Sequence, residues 1–437
     1  MTTTASEPTR ARIAQSSAYR VCVVGLGKIG LALAAQYVTR GAAVFGADVD
    51  AQLVELVQRG DVPPNSEDGL AERVRAGSER GLLRATQSTS QAVRESNVVI
   101  VIVPLLTDTA GQPDFRALDS ATAAIADGLQ PGTLVIYETT LPLGTTRGRF
   151  GPILQRAQDD VLLAFSPERV YVGRTFEDLA KYPKIVGGTS PEATTAAAAF
   201  YRAVLDADVM VMPDAETAEF VKLAETTYRD VNIGLANDLA RFAQTRGVDA
   251  VTAFRAANTQ PFSNLHMPGL GVGGHCIPVY PRFLLAQAKP DELEVVRHAR
   301  AVNDQMAEYA VGLLAGHLGP LIGKRVLILG LAYRGGVKEA SFSSALLAIA
   351  SLQRHGATPL LHDPLFSDAE LAATGALRAH LDQPLDVDAV ILQTDHAEYL
   401  GLDWSLFRGC QIVIDGRNVL DRTRVEAAGL SYRGIGR

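Results

Sequence analysis

From Arg20 onward, short runs of β-branched and aliphatic residues alternate with longer amphipathic stretches. The runs at 21–24, 43–47, 98–103, 133–137, 161–165 and 184–186 predict strands, with helices between them. Such alternation predicts a parallel sheet covered on both faces. The texture changes near Pro213. Asp214 suits a helix N-cap and Gly247 a helix stop. The pattern between them predicts one helix of about thirty residues, much longer than average. Residues 253–274 read as a loop, with Pro261, Pro268 and four glycines from Gly269 to Gly274. A second helical pattern spans 293–318, and strand–helix alternation resumes at Lys324. There the runs 326–330, 358–362, 389–393 and 411–414 predict parallel strands.

Composition narrows the class. The chain has 437 residues, 47% of them hydrophobic and 20% charged, which suits a folded protein of two or three domains. A net charge of -7 argues against a broad nucleic-acid-binding surface, though not against a local basic pocket. Cys22, Cys276 and Cys410 are odd in number and far apart, so a disulfide framework is not expected. No His/Cys spacing predicts a metal site. Residues 1–18 read as a disordered tail without the apolar segment of a signal peptide, and no run is long enough to span a membrane. The expected setting is cytoplasmic.

Two stretches carry chemistry. The first is Val21-Cys-Val-Val-Gly25-Leu-Gly27-Lys28-Ile29-Gly30, a strand running through glycines into a helix. Gly25 makes the tight turn, Gly27 admits a pyrophosphate against the backbone, and Gly30 lets helix and strand pack closely. The next strand ends at Asp48, where a carboxylate can bond both ribose hydroxyls and repel a 2′-phosphate; this favours NAD over NADP. Asp50 is a nearby alternative, or simply a helix cap. The predicted fold class is therefore α/β: two Rossmann-like doubly wound parallel-sheet domains joined by a central helical domain with a long spine helix. The expected divisions are 19–212, 213–318 and 319–437.

The second stretch is Pro268-Gly-Leu-Gly-Val-Gly273-Gly-His275-Cys276-Ile-Pro-Val-Tyr280-Pro. A cysteine directly after a glycine-rich turn can meet a ligand that approaches the backbone. A buried packing role is the alternative for any lone cysteine. That role is expected of Cys22, inside a strand, and of Cys410.

The second stretch resembles the active-site loop of the UDP-glucose/GDP-mannose dehydrogenase family. Its GGHCIP form is similar to the branch that oxidises UDP-N-acetylmannosamine and UDP-N-acetylglucosamine. The resemblance extends over nearly the whole chain, through residues 60–70, Glu138-Thr-Thr140-Leu-Pro-Leu-Gly-Thr-Thr, Ser166-Pro-Glu168-Arg169-Val170, Lys184-Ile-Val-Gly-Gly, Glu219-Phe-Val-Lys222-Leu and Gly330-Leu-Ala-Tyr333. It implies that a hydroxymethyl group gives hydride to NAD and becomes an aldehyde, that Cys276 adds to the aldehyde, and that a second hydride leaves a thioester for hydrolysis. It implies Lys222 as the cation that stabilises the oxyanion and Glu138 as the group that holds or activates water. Val103 and Thr140 are implied at the cofactor. Glu168, Arg169, Val170, Gly273, His275, Tyr333 and Lys338 are implied at a nucleotide-sugar substrate. A homodimer or higher homo-oligomer is implied too, packed through the long helix; no nucleic acid, membrane or metal is expected as partner.

Several positions depart from the family. Thr226 stands for the usual Asn one turn after Lys222, and Tyr280 for an Asp four residues after the cysteine. Phe262 and Ser341 stand for arginines, and Val103-Pro-Leu-Leu lacks the threonine of the family's VPTP pattern. Tyr280 brings no charge in place of the carboxylate, because a phenol ionises near pH 10. Arg282, Arg334 and Lys338 are candidates to compensate for the lost arginines. The leading reading is a four-electron dehydrogenase that makes a nucleotide-sugar uronic acid. A second is a divergent member with another nucleotide sugar, or one that stops at the aldehyde. A third is a catalytically silent NAD-binding protein, against which the retention of Cys276, Lys222 and Glu138 counts. A hydroxyacid dehydrogenase fits less well, since it needs no cysteine nucleophile.

Overall fold

The computed structural model describes residues 19–64, 66–108 and 111–437, so the tail expected at 1–18 lies outside the described residues. The chain forms two compact units that divide after Ala224.

The first unit is built on an eight-stranded sheet. Its strands are β1 (Arg20–Val24), β2 (Ala43–Ala47), β3 (Leu83–Thr86), β4 (Val98–Val101), β5 (Leu134–Tyr137), β6 (Leu162–Phe165), β7 (Lys184–Gly188) and β8 (Val209–Val211). They lie in the order β8-β7-β6-β5-β4-β1-β2-β3. Helices α1 (Lys28–Thr39) and α2 (Pro191–Val204) pack against it. Val21, Cys22 and Val23 are fully buried, as a strand covered on both faces requires. The short strands β3 and β8 are not apparent from the pattern of apolar residues, because half of β3 and the whole of β8 are exposed or only partly buried.

The sheet departs from all-parallel order at one place. β6 and β7 pair antiparallel, with Phe165 opposite Gly187. The connecting segment, 166–183, holds only the short helix Thr175–Lys181 and returns along the same edge of the sheet instead of crossing it. The first residue of β7, Lys184, thereby reaches the edge where β5 and β6 end. Ligands of open α/β sheets bind along that edge.

Helix α3 (Ala215–Gln244) is the predicted long helix and runs across the division between the units. Asp214 caps it by accepting from the Thr217 N–H at 2.7 Å, and Gly247 follows its end at φ 69°. In the second unit, α4 (Ala250–Ala257) extends into the stretch read as loop, because Asp249 caps it through the Thr252 N–H. Helices α5 (Tyr280–Gln287) and α6 (Glu294–Leu318) follow. The strands β9 (Arg325–Leu329), β10 (Thr358–His362), β11 (Leu377–Arg378), β12 (Ala389–Leu392), β13 (Ile412–Asp415) and β14 (Ser431–Gly434) form a six-stranded sheet. Its order is β11-β10-β9-β12-β13-β14, and all pairings are parallel. Among the described residues, no helix is long and apolar enough to cross a membrane.

Candidate active site

The glycine turn after β1 has the form a dinucleotide requires. Gly25 adopts φ 98°, and a side chain at Gly30 would place its Cβ 1.9 Å from the Gly25 carbonyl oxygen. Gly27 caps α1 without any side-chain bond to the first turn, and it faces open space. The N–H groups at a helix start are what a pyrophosphate binds. Asp48 follows β2 and accepts from the Leu26 N–H at 2.6 Å and the Asp50 N–H at 2.9 Å, so the acid is fixed against the turn. Asp50 itself caps the next helix, accepting from Gln52 N–H at 2.9 Å. The cap is made by Asp50 and not by Asp48. These residues fit NAD, which supplies a hydride acceptor when bound. A Gly30→Ala substitution is expected to push α1 off the sheet. NAD affinity, read by fluorescence titration, should then fall at least about tenfold, in keeping with strain of a few kcal/mol at a close backbone contact.

Three charged side chains meet at the edge reached by β5, β6 and β7. Glu138 follows β5 and is 1% exposed. Its Oε1 accepts from Tyr201 at 2.6 Å and Tyr37 at 3.2 Å, and its Oε2 lies 2.6 Å from Lys184 Nζ. The same ammonium reaches Glu168 Oε2 at 3.0 Å, while Glu168 Oε1 accepts from the N–H groups of Arg169 and Val170 at 2.6 and 3.0 Å. Burial pushes the Glu138 carboxyl up to about 7, against the pull of Lys184 and with the help of Glu168's charge. Burial works the same way on Glu168, but there the charge and hydrogen bond of Lys184 prevail and hold it below the usual range. Lys184 is raised, since the two carboxylates outweigh its desolvation. Glu138, expected to hold water, is therefore enclosed with both oxygens bonded. Glu168 is the acid of this group nearer the surface, its side chain 11% exposed.

The loop that carries Thr140 is tied to the start of α3. Glu219, fully buried, accepts from Gly144 N–H at 2.5 Å, Thr146 N–H at 2.8 Å and the Thr146 hydroxyl at 2.6 Å. Burial nevertheless pushes its carboxyl up to about 7. Lys222, one turn further along the same helix, is 9% exposed, and Thr226 is buried one turn after that. Thr140 is 5% exposed, and Val103 is half-buried with its carbonyl bonded by Thr139 at 2.7 Å.

In the second unit, Cys276 is exposed. Its carbonyl accepts from Tyr280 N–H at 2.9 Å, which turns the chain into α5. Gly273 and Gly274 are needed for packing: a Cβ on either would meet the Tyr333 side chain, at 2.5 and 3.3 Å. The loop is pinned by Gly274 N–H to the Ser341 carbonyl at 2.8 Å, and His275 Nε2 lies 3.3 Å from Glu339 Oε2. Its approach is pinned too, since Asn237 on α3 accepts from Gly269 N–H at 2.9 Å. The other cysteines differ in kind. Cys22 is fully buried, and burial pushes its thiol far up; burial also pushes the Cys410 thiol up, to about 11.

Of the cations expected to compensate for lost arginines, Arg282 pairs with Asp304 at 2.7 Å and Lys338 with Glu370 at 2.9 Å. Tyr280 stands at the head of α5 with its ring 5.6 Å from that of Phe283. Phe262 is 93% exposed. Sequence reasoning passed over Lys184, Glu219 and Arg417. Arg417 donates to the carbonyls of Gln393 at 2.5 Å and Tyr333 at 2.9 Å. The first turn is echoed at Gly330 (φ 103°), and there sequence reasoning passed over Asp363 after β10, which accepts from the N–H groups of Leu331 and Ala332 at 2.8 and 2.9 Å. The signal was present in His362-Asp363-Pro364, an acid ending the strand next after the glycine. Among the described residues, no cluster suited to a metal ion occurs.

A dinucleotide turn backed by an acid, and a second sheet of the same build preceded by an exposed cysteine, define the class: an NAD-dependent oxidoreductase. The chain belongs to the UDP-glucose/GDP-mannose dehydrogenase family. The family's NAD binding domain matches residues 19–205, its central domain 216–305 and its UDP binding domain 327–422. A UDP-N-acetyl-D-mannosamine dehydrogenase of Pyrococcus horikoshii is 35% identical over 96% of this chain and 99% of its own length. One from Escherichia coli strain K12 is 31% identical over 94% and 98%. Among solved structures, the UDP-D-ManNAc dehydrogenase of P. horikoshii superposes with a TM-score of 0.84 at 33% identity, covering 96% of this chain and 99% of that one. An NDP-N-acetyl-D-galactosaminuronic acid dehydrogenase of Methanosarcina mazei Go1 gives 0.84 at 26% identity, covering 99% and 98%.

Proposed function

We propose that this protein oxidises the C6 hydroxymethyl of a UDP-N-acetylhexosamine, with UDP-N-acetylmannosamine as the first candidate, to the uronic acid by two hydride transfers through Cys276. The observation that carries the reading is the exposure of Cys276 on its glycine loop, where the other two cysteines are withdrawn and held protonated. The names of the most similar relatives supply the sugar. In the first oxidation the alcohol loses a hydride and a proton and becomes an aldehyde. The Cys276 sulfur then adds to the carbonyl carbon, and the oxygen takes a proton. The thiohemiacetal loses the second hydride and a proton to give a thioester, and water releases the carboxylate and the thiol. Lys222 stabilises the oxyanion. Glu168 handles the water, and Glu138 acts behind it.

Two such chains are proposed to pair along α3, where Phe220, Tyr228, Leu235, Leu239 and Phe242 are exposed. Their spacing puts them within about a third of the helix circumference at 3.6 residues per turn. A contiguous apolar stripe of this kind marks an association surface.

One observation favours a second reading, in which the reaction stops at the aldehyde. Tyr280 occupies the position of a carboxylate that could assist water. The two are separated by counting NADH formed per sugar consumed. Two NADH and a uronic acid are expected; one NADH with an aldehyde that hydroxylamine traps would establish the shorter reaction.

A further inference from the structure

The buried trio Glu138, Lys184 and Glu168 has an economy that the fold alone does not require. Two carboxyls and an ammonium lie together out of water, and taking an ionised group from water costs several kcal/mol. Apolar residues of similar volume often serve stability equally well. Yet every oxygen of both carboxylates has a donor, and the Lys184 side chain, 5% exposed, stands between them. The Tyr201 ring lies 5.0 Å from the ammonium. The arrangement depends on the reversed strand β7, which alone brings Lys184 to the edge where β5 and β6 end.

We propose that Lys184 is a positioning residue for the oxidation: it fixes the carboxylate of Glu168 at the substrate edge of the sheet, and Glu138, Tyr37 and Tyr201 form the anchor that fixes Lys184. The inference rests on the reading above that Glu168 meets the substrate or its water. The groups facing Lys184 and Glu168 come from every packed element: Tyr37 on α1, Glu138 after β5, Arg169 beside Glu168, and Tyr201 on α2. Arg169 also bonds the Pro183 carbonyl at 3.3 Å, next to Lys184. With its Oε1 bound to two backbone N–H groups, Glu168 has its Oε2 held by the Lys184 ammonium at 3.0 Å. Removing the ammonium frees that oxygen to turn. It also removes the nearby positive charge that favours the ionised carboxylate.

The test uses the full-length protein with UDP-N-acetylmannosamine and NAD. Glu138→Gln/Lys184→Met removes a charge pair together and keeps an acceptor for both tyrosines, so no buried charge is orphaned at position 138, while Glu168, 11% exposed, keeps its two backbone bonds. It is expected to retain a cooperative melt and NAD affinity, and to leave KM for the sugar within a few-fold. Its kcat should fall about 10²-fold, the usual effect of a misplacement near 1 Å. The acidic limb of the kcat–pH profile should move to higher pH, because Glu168 loses its cation. Lys184→Gln, which keeps N–H donors without the charge, should show the same shift, and Lys184→Arg should recover most of kcat. Wild-type kcat and an unmoved acidic limb in the folded double variant would overturn the proposal. So would failure of both Met and Gln variants to fold while Lys184→Arg folds, since the role is then architectural. Glu168→Gln is measured in parallel. If it retains full kcat, the reading of Glu168 fails first and the proposal with it; if it is impaired and the Lys184 variants are not, only the proposal fails.

Discussion

Cys276→Ala is expected to abolish uronic acid formation, lowering its rate by on the order of 10³-fold or more, as loss of a covalent nucleophile does. The substitution should leave NAD affinity and the melting temperature nearly unchanged, because the side chain is exposed and its loop is held by other bonds. The first hydride needs no sulfur. The alanine variant should therefore yield at most one NADH per sugar, with an aldehyde that hydroxylamine traps. A serine in the same place adds to the aldehyde but makes a poorer nucleophile, so Cys276→Ser should form product slowly through an ester. Rapid-quench analysis should find substrate carbon attached to the wild-type protein and to the serine variant, and none attached to the alanine variant. Two NADH per sugar at the wild-type rate from Cys276→Ala would end the covalent reading and leave hydration of the free aldehyde as the route.

How much of this was readable in the residues depended on range. The glycine turn, Asp48, the Asp214 cap and the cysteine loop are local: a few neighbouring residues fix their backbone, and each appears where the pattern put it. The direction of β7 is not local. Lys184-Ile-Val-Gly-Gly is a buried run in either direction, since a strand covered on both faces shows no polarity. Direction decides which end of the strand faces the ligand edge, so Lys184 looked like one more buried-strand residue although it bridges two acids. The surroundings of Glu138 are not local either. Its motif suggested a water-handling acid, but the donors that enclose it, Tyr37, Lys184 and Tyr201, come from 101, 46 and 63 residues away. Arg282 and Lys338 illustrate the complementary limit: proximity to the site in sequence did not reveal Asp304 or Glu370 as their partners.

Arg300→Ala is expected to be the most damaging substitution outside the reacting groups, because Arg300 holds a buried polar chain together beneath the cysteine loop. Arg300 on α6 is 3% exposed and pairs with fully buried Asp230 on α3. Asn303 donates to Asp230 Oδ1 and to its carbonyl, each at 2.9 Å, and accepts from Asn237 Nδ2 at 2.9 Å. Asn237 in turn holds Gly269 N–H, where the cysteine loop begins. On the far side, Arg300 reaches Asp304 at 3.3 Å, and Asp304 holds Arg282 of α5, just past the loop. One guanidinium thus ties both ends of the segment that presents Cys276. The pairing is costly even when intact: burial outweighs Arg300's charge and holds Asp230 above its ordinary range, and Asp230 Oδ2 and Arg300 Nε have no bonded partner. Removing Arg300 leaves a buried carboxylate without its cation, a loss of about 3–5 kcal/mol. That corresponds to a fall on the order of 10 °C in the melting transition of this unit. Hydrogen exchange should rise in 268–280 before it rises in β9 and β12. Asp230→Leu/Arg300→Met removes both charges and should recover much of the melting temperature, since the orphaned charge is then gone. It removes the tie on the loop all the same. If the double variant melts like the wild type and forms uronic acid at the wild-type rate, the chain serves folding only; if it melts normally but turns over slowly, the same residues also hold Cys276 in position for the substrate.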